Sequence, residues 1–483
     1  LPPFAADVWC NLTLTARTQR GLRVQIGIRQ AGAPYKWLYS AGQGLTSDWQ
    51  TVSYEFGLAK PDSPVGLFVA LVGTGCLDVE EVRLTVHSRA ARIAELRREH
   101  PDGGPRNLLR TSRFPLGLQS GWTVSRAFSD GDDFLLAPDP DVVGPSGYPA
   151  LRVEVPTSVN SPYGIREFLE ITSAPFPVVV PDVPHVASVF VRGVASGAIE
   201  VRCDGRRRAH RQFTLDGGEE WTRLTVPFEP PWMGRVNLLR IALRGVAWLD
   251  AVQVAAGAVG GPYVSQCPFE VALACVNGDA AIAGVQFDDE PAVVPAVVTG
   301  PDRAGALCVR IVNVYGNERV LTPVALGPEK TGPLAITYDV FGEARYGAFR
   351  VEAWVEGADG KRKSAFNELV VNRLPRPRYW GRDAPDSPFG VHTHAVSRHL
   401  VMAKAAGMNW VRLHDAGIQY LGWFHLEPSP GEWHFYDDEL QRYRRHNLRI
   451  LGEVGTAPDW ASYAKQSTDP PLPISKTVTR AYF

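Results

Sequence analysis

The 483-residue sequence is short of most features that betray chemistry. There are three methionines and six cysteines, with no CxxC pair and no Cys/His spacing suited to a metal. GxGxxG, Walker, GxSxG and HExxH motifs are all missing, so dinucleotide, P-loop, serine-hydrolase and zinc-protease chemistry have no foothold in their usual forms. Charge of one sign is missing too: 50 Lys+Arg against 51 Asp+Glu leave a net −1, and no global field draws the chain to nucleic acid or to an anionic membrane. Arg206-Arg207-Arg208 is the compact basic run, and it reads as a solvated hairpin tip. No apolar run approaches the roughly 18 residues that cross a bilayer. No signal peptide is visible, and a chain that starts at Leu1 leaves that question open. Cys10, Cys76, Cys203, Cys267, Cys275 and Cys308 read as buried free thiols. A disulfide between Cys10 and Cys76, which share a unit, stays open.

What is present is alternation. Asn11 to Ala16, Leu22 to Ile28 and Leu67 to Leu71 alternate polar with apolar, punctuated by glycine and proline, which predicts a β-sandwich over residues 1–87. A helix capped by Ser88 runs through Ile93 and Leu96 to His100-Pro101, making 88–105 a helical linker. A second β-rich unit follows over 106–258, and there the chain repeats itself. Trp49, Phe56, Ala70, Leu71, Gly73, Leu77, Asp78 and Val82 match Trp221, Phe228, Ala242, Leu243, Gly245, Leu249, Asp250 and Val254 at a constant offset of 172. Both copies end in Leu-Asp before a strand, and this block resembles the closing strands of carbohydrate-binding jelly rolls of the family 4/9/22 type. The resemblance implies that the tryptophan belongs to the core. Only 48 residues precede Trp49, whereas Trp221 comes 114 after Asn107, so the first copy is expected to lack its opening strands. Residues 262–373 predict an immunoglobulin-like sandwich: Phe349, Val351, Ala353 and Val355 share a face, and Ala358-Asp359-Gly360-Lys361 turns the chain. Pro375, Pro377 and Pro385 stiffen a linker over 374–386.

From residue 387 the pattern changes to strand and helix in alternation. Phe389 to His394, Asn409 to Asp415 and Leu448 to Val454 read as strands; a helix capped by Ser397 and stopped by Gly407 separates the first two. A helix from Tyr436 to His446, stopped by Asn447, precedes the third. Two strand-helix-strand units in succession argue for parallel strands, in a (β/α) barrel or an open sheet.

Trp423 to Phe435, with Glu427-Pro428, Gly431 and Trp433 inside it and Asp437-Asp438 after it, resembles the W…EP..G.W.F…D segment following strand two in retaining (β/α)8 glycoside hydrolases of clan A. Val411 to Asp415 and Ala457 to Ser462 look like that clan's second and third strand ends, most like families 39 and 42. The fold class expected is therefore multidomain: two jelly-roll-like sandwiches, an Ig-like sandwich, and the first part of a (β/α)8 barrel over 387–483. The resemblance places the acid/base glutamate at the end of strand four and the nucleophile at the end of strand seven. Both are expected beyond Phe483, because only 96 residues follow Ser387 whereas a whole barrel takes about 250. The sequence thus reads as a piece of a longer protein, cut at both ends and without catalytic residues of its own.

The same resemblance gives Arg412 a supporting role, holding the nucleophile carboxylate ionised through charge-assisted bonds. His392, His394, His414 and Asp415 are candidates for sugar hydroxyls, Glu453 ends a strand at the functional face, and Trp460 is a candidate for stacking on a ring. Trp423, Glu427 and Trp433 read as braces of the long loop. Tyr35, Trp37 and Tyr39 alternate, so an unbroken strand would put all three rings on one face. That face suits a sugar chain, a core, or another sheet. No motif calls for a cofactor, although a structural Ca²⁺ within a jelly roll stays open. The partner expected is a poly- or oligosaccharide. The parent is expected to be a secreted or cell-surface glycoside hydrolase, a localisation inferred from the resemblance; the alternative is a non-catalytic glycan-binding or adhesion protein.

Overall fold

A computed structural model describes residues 7–18, 23–32, 36–45, 47–60, 63–72, 75–101, 107–117, 120–126, 134–155, 168–176, 180, 183–203, 205–230, 237–257, 259–275, 278–300, 304–327, 333–341, 345–414, 421–453 and 457–461. The molecule is mainly β, with sandwich-like sheets.

The first sandwich contains β1 (Val8–Thr18), β2 (Arg23–Gln30), β3 (Trp37–Gly44), β4 (Gln50–Leu58), β5 (Val65–Val72) and β6 (Leu77–Ser88). They form two antiparallel sheets in the orders β4-β1-β6 and β3-β2-β5. Alternation builds the core: Cys10, Leu12, Leu14 and Ala16 turn inward from β1 and meet Val24, Ile26 and Ile28 from β2. Cys10 lies in that core while Cys76 is exposed, and all six cysteines are free, so the Cys10–Cys76 disulfide is not formed. Trp49 does not join the core either. It is 46% exposed beneath the Arg17 guanidinium, 4.8 Å from the ring centroid.

Helix α1 (Arg89–Glu99) begins where Ser88 accepts from the Ala91 amide and ends at His100, before Pro101. Its two buried residues are Ile93 and Leu96, and Leu96 packs with Trp9 of the first sandwich and Val180 of the second. The linker helix is thus a wedge between units.

The second sandwich is built from β7 (Trp122–Arg126), β8 (Leu135–Val143), β9 (Pro149–Val155), β10 (Leu169–Ser173), β11 (His185–Cys203), β12 (Arg206–Asp216), β13 (Thr222–Phe228) and β14 (Asn237–Ala256). The long strands β11 and β14 pair along nearly their whole lengths. Gly193 (φ +123) and Gly245 (φ +93) lie within this paired stretch. A Cβ at either would come 2.4 Å from a carbonyl of the other strand, so only glycine permits the approach.

The third unit contains β15 (Glu270–Leu273), β16 (Val285–Phe287), β17 (Val293–Thr299), β18 (Gly305–Asn313), β19 (Glu318–Val320), β20 (Val324–Leu326), β21 (Leu334–Thr337), β22 (Gly347–Glu356) and β23 (Asn367–Leu374). A sheet β15-β17-β21 faces a larger one, β16-β23-β22-β18-β19, in which β16 runs parallel to β23. Phe349, Val351, Ala353 and Val355 are all buried between them, and the 357–361 turn closes on a Gly360 N–H to Gly357 carbonyl bond of 2.9 Å.

The last unit contains β24 (Gly390–Val391), α2 (Ser397–Ala405), β25 (Trp410–Leu413), α3 (Asp437–Arg445) and β26 (Arg449–Gly452). All pairings are parallel, in the order β24-β25-β26. Three parallel strands do not make a barrel, and the expected (β/α)8 fold goes no further than this among the described residues. The description ends at Ala461, so Phe483, the position beyond which the two catalytic glutamates are expected, lies outside the described residues. The first strand is shorter than expected, because Phe389 is exposed and pairing begins only at Gly390. Ser397 opens the helix as its first residue rather than capping it; Val396 holds the N-cap position and makes no side-chain cap bond. Gly407 (φ +81) and Asn447 (φ +54) both adopt the left-handed conformation past their helices, as their residue types favour.

Candidate functional site

Among the described residues, one face of the parallel sheet is covered and one is bare. Val411 and Leu413 point toward the helices and are fully buried with Leu400, Tyr443 and Leu448. Trp410 and Arg412 alternate to the opposite face, where Leu451 from β26 is 58% exposed. Parallel sheets are ordinarily covered on both sides, so a bare face with an aromatic, an aliphatic and a charged side chain is unusual. A groove of about 590 Å³ lies along it, bounded by the Pro385–Pro388 linker, Gly390, His392, Trp410, Arg412 and Leu451.

The two ends of the sheet have different chemistry. At the N-terminal end the buried Lys404 ammonium donates to the Arg382 carbonyl (2.8 Å), Asn409 Oδ1 (2.6 Å) and the Asn447 carbonyl (3.0 Å). Asn409 immediately precedes β25 and Asn447 comes two residues before β26, so one side chain fixes the relative heights of two strands. Burial pushes the Lys404 pKa down. Beside it Arg449 grips Asp383 through two bonds of 2.7 and 2.6 Å, which holds that carboxyl below its ordinary range. These are structural contacts.

At the C-terminal end the polar groups converge instead. Arg412 Nη2 donates to Glu453 Oε2 at 2.6 Å, and His414 Nε2 lies 3.5 Å from the other oxygen, Oε1. The His392 ring centroid is 6.2 Å from that of His414. Four residues from three strand ends therefore share one mouth. Of the remaining candidates, His394 does not join them. His394 is exposed, and its hydrogen bonds run through its carbonyl. Asp415 lies outside the described residues, as does everything from Ser462 to Phe483, so the acid/base and nucleophile expected past that end have no geometry to set beside this mouth.

The loop after β25 folds around Glu427, which is buried. Its carboxylate accepts from Trp423 Nε1 and the Gly431 amide, both at 2.8 Å, while its carbonyl accepts from Trp460 Nε1 at 3.0 Å. Trp460 meets Trp423 edge-on at 5.7 Å, so it braces this loop while staying partly exposed. Trp433, expected as a brace, stands out of the fold instead, stacked on Phe435 at 5.9 Å with both rings exposed. Nothing in the sequence signals that pair, because an aromatic in a loop carries no periodicity.

In the first sandwich the expected ladder of three rings does not form. Tyr35 lies outside the described residues. A β-bulge at Leu38 lets Tyr39 pair with Ile28 and Trp37 with Arg29, which sends the two rings to opposite faces. Tyr39 is buried, stacked on Phe56 at 3.7 Å, and so belongs to the core. Trp37 is exposed, edge-on to Phe68 and near the Arg29 guanidinium.

A polar cluster that the sequence did not reveal lies between the second and third units. Glu270 Oε1 accepts from Ser112 Oγ at 2.7 Å and from the Tyr263 hydroxyl at 3.2 Å, while Arg113 lies over the Tyr148 and Tyr263 rings and donates to Thr299 Oγ1. Burial raises the Glu270 and Asp250 pKa values against the pull of Arg113. No group of three or more His, Cys, Asp or Glu side chains able to hold a metal occurs among the described residues.

No family model matches the sequence, and no curated protein matches it. Among solved structures it is similar to the N-terminal CBM22-1-CBM22-2 tandem domain of Xyn10C from Paenibacillus barcinonensis, at 11% identity and a TM-score of 0.23, over 52% of this chain and 79% of that one. It is similar to TmCBM61 in complex with beta-1,4-galactotriose at 17% identity and a TM-score of 0.25, over 32% of this chain and 99% of that one. A beta-1,2-glucanase from Parabacteroides distasonis is similar at 9% identity and a TM-score of 0.22, over 56% of this chain and 39% of the enzyme. Likenesses of this strength identify no function.

Proposed function

We propose that the chain is the glycan-holding part of a secreted, multimodular retaining glycoside hydrolase, with its division into units at 1–87, 106–258, 262–373 and 387–483 as read from the sequence. The observation that carries this is the meeting of Arg412, His414 and Glu453 at the C-terminal ends of adjacent parallel strands, the end at which barrel enzymes act. The order of motifs from Trp423 to Trp460 supports the same conclusion.

In this mechanism one glutamate protonates the leaving glycosidic oxygen while a second attacks the anomeric carbon, and water then opens the glycosyl-enzyme; the two carboxyl groups stand about 5 Å apart. By the resemblance both glutamates belong to later strands, beyond Phe483, so this chain supplies the surroundings. Arg412 offers a planar fork that keeps a partner carboxylate ionised and acceptor-only. His392 and His414 each present a ring nitrogen to sugar hydroxyls, His394 and Trp460 offer further contacts, Asp415 is kept as a candidate from the sequence alone, and Trp37 is an exposed ring in the first sandwich. Sandwich units that hold the polymer raise its concentration near the mouth as any tethered site does.

A second reading has an observation of its own: Glu453 already occupies Arg412, as in a surface protein that binds glycan without cutting it. Aryl glycoside hydrolysis separates the cases. The chain alone should bind oligosaccharide without turnover, and turnover abolished by Glu453→Gln would overturn the assignment of catalysis to later strands. A protein extended by its downstream coding sequence should turn over if that sequence carries Asn-Glu roughly 60 to 100 residues on, within the span of a full barrel. Absence of both glutamates there would establish the second reading.

A further inference from the structure

The two sandwiches correspond down to an irregularity. Strand β3 bulges between Tyr39 and Trp37 against Ile28 and Arg29, and β12 bulges between Ala209 and Arg207 against Val201 and Arg202. The register makes Trp37 the counterpart of Arg207, Leu38 of Arg208 and Tyr39 of Ala209. One copy thus places aromatic and aliphatic side chains on this edge strand, and the other places cations. Arg206, Arg207, Arg208, His210 and Arg211 occupy five of six successive positions, and all five are exposed. None makes an ion pair or side-chain hydrogen bond with a described residue. The nearest acid across the strand, Glu200, is already engaged by Arg202 at 2.7 Å and Arg240 at 3.0 Å. β12 ends its sheet, and no described strand pairs with its outer edge.

Like charges on adjacent positions repel, and one or two would suffice to keep an edge strand from aggregating. Four arginines and a histidine without a counter-charge among the described residues exceed that need. We propose that the Arg206–Arg211 segment is a binding strip for an acidic glycan, one carrying carboxylate or sulfate groups along its chain. Guanidinium forks match both groups bidentately, and because the strand is an edge, the cations that alternate between its two faces are all exposed and can flank one extended polymer.

The other polyanions fit less well. Single-stranded nucleic acid calls for aromatic platforms between the cations, and here the intervening residue is Ala209 while Phe213 is buried. A membrane surface calls for apolar side chains beside the cations. An acidic peptide added as a further strand requires a regular edge, and the bulge at Arg208 interrupts it. The strip is on a different unit from the parallel-strand mouth and does not depend on hydrolysis there.

Affinity electrophoresis of the whole chain through gels containing polygalacturonate, dextran sulfate or neutral dextran tests the strip. Retardation is expected with an acidic polymer and not with dextran, and it should weaken as salt screens the charges. Which acidic polymer retards it distinguishes carboxylate from sulfate. The Arg206→Gln/Arg207→Gln/Arg208→Gln variant should weaken binding about tenfold or more. A charge-matched Arg97→Gln/Arg98→Gln/Arg398→Gln variant should stay within about twofold, since interactions between exposed charges are small away from a site. Thermal melting of both variants checks that they fold. Lack of retardation by either acidic polymer, an equal loss in the control variant, or equal retention by single-stranded DNA or anionic vesicles through the same three arginines would overturn the proposal.

Discussion

The first and second sandwiches use the same sequence block differently. Phe56 pairs with Cys10 and its repeat partner Phe228 with His185; Val69 pairs with Ile26 and Ile241 with Ile199. The inner faces are equivalent, yet β1 and β2 lie in separate sheets while β11 runs unbroken through both positions. The shared Leu-Asp diverges further. Asp78 is a half-exposed partner of Arg17 at 2.9 Å, whereas Asp250 is buried and accepts from the Ser146 amide and hydroxyl at 2.7 and 2.9 Å. A repeat keeps the apolar frame, because packing tolerates little change in volume, and leaves each polar residue to the partners its copy supplies.

If the frames are equivalent, Ile26→Ala and Ile199→Ala should each cost about 2–5 kcal/mol of their own sandwich, measured by denaturant unfolding. A loss in one copy alone would break the equivalence. Gly245→Ala should cost roughly 2–4 kcal/mol, because positive φ and the Val194 carbonyl 2.4 Å from the new Cβ act together. Replacing the two aspartates by alanine should separate them: about 1–3 kcal/mol at Asp250, where half-buried donors lose a buried acceptor, and under about 1 kcal/mol at Asp78.

The pH dependence sharpens that contrast. Burial raises the folded pKa of Asp250 above its unfolded value, so between the two the folded state holds the extra proton. The associated stability is present at low pH and is lost as pH rises through the interval from the ordinary carboxylate value to the raised one. Glu270 acts in the same direction. Asp250→Asn should flatten part of that decline in melting temperature against pH; an unchanged slope would remove Asp250 from the account.

Much of the frame is legible in the sequence, because alternation in β1 and β22 and the constant offset of 172 follow directly from which faces are buried. Helix stops at Gly407 and Asn447 are legible for the same local reason, their tolerance of positive φ. Tyr39 and Trp37 are not, because alternation assumes an unbroken strand and one inserted residue at Leu38 reverses the faces. Trp49 departs from the core position that the resemblance implies, since here Arg17 holds it at the surface. At the candidate mouth the chain order places Arg412, His414 and Glu453 on successive strand ends, but not the bond from Arg412 to Glu453, which depends on side chains 41 positions apart. The Ser112–Tyr263–Glu270 cluster is hidden for that reason too.

The most direct measurement is NMR of labelled histidine rings in the whole chain during titration with neutral oligosaccharides, run beside an aryl glycoside assay. Glycan held at the strand ends should shift the His392 and His414 signals, leave that of the buried His185 in place, and produce no hydrolysis. Signals at His392 and His414 that stay still for every sugar the protein binds would contradict it.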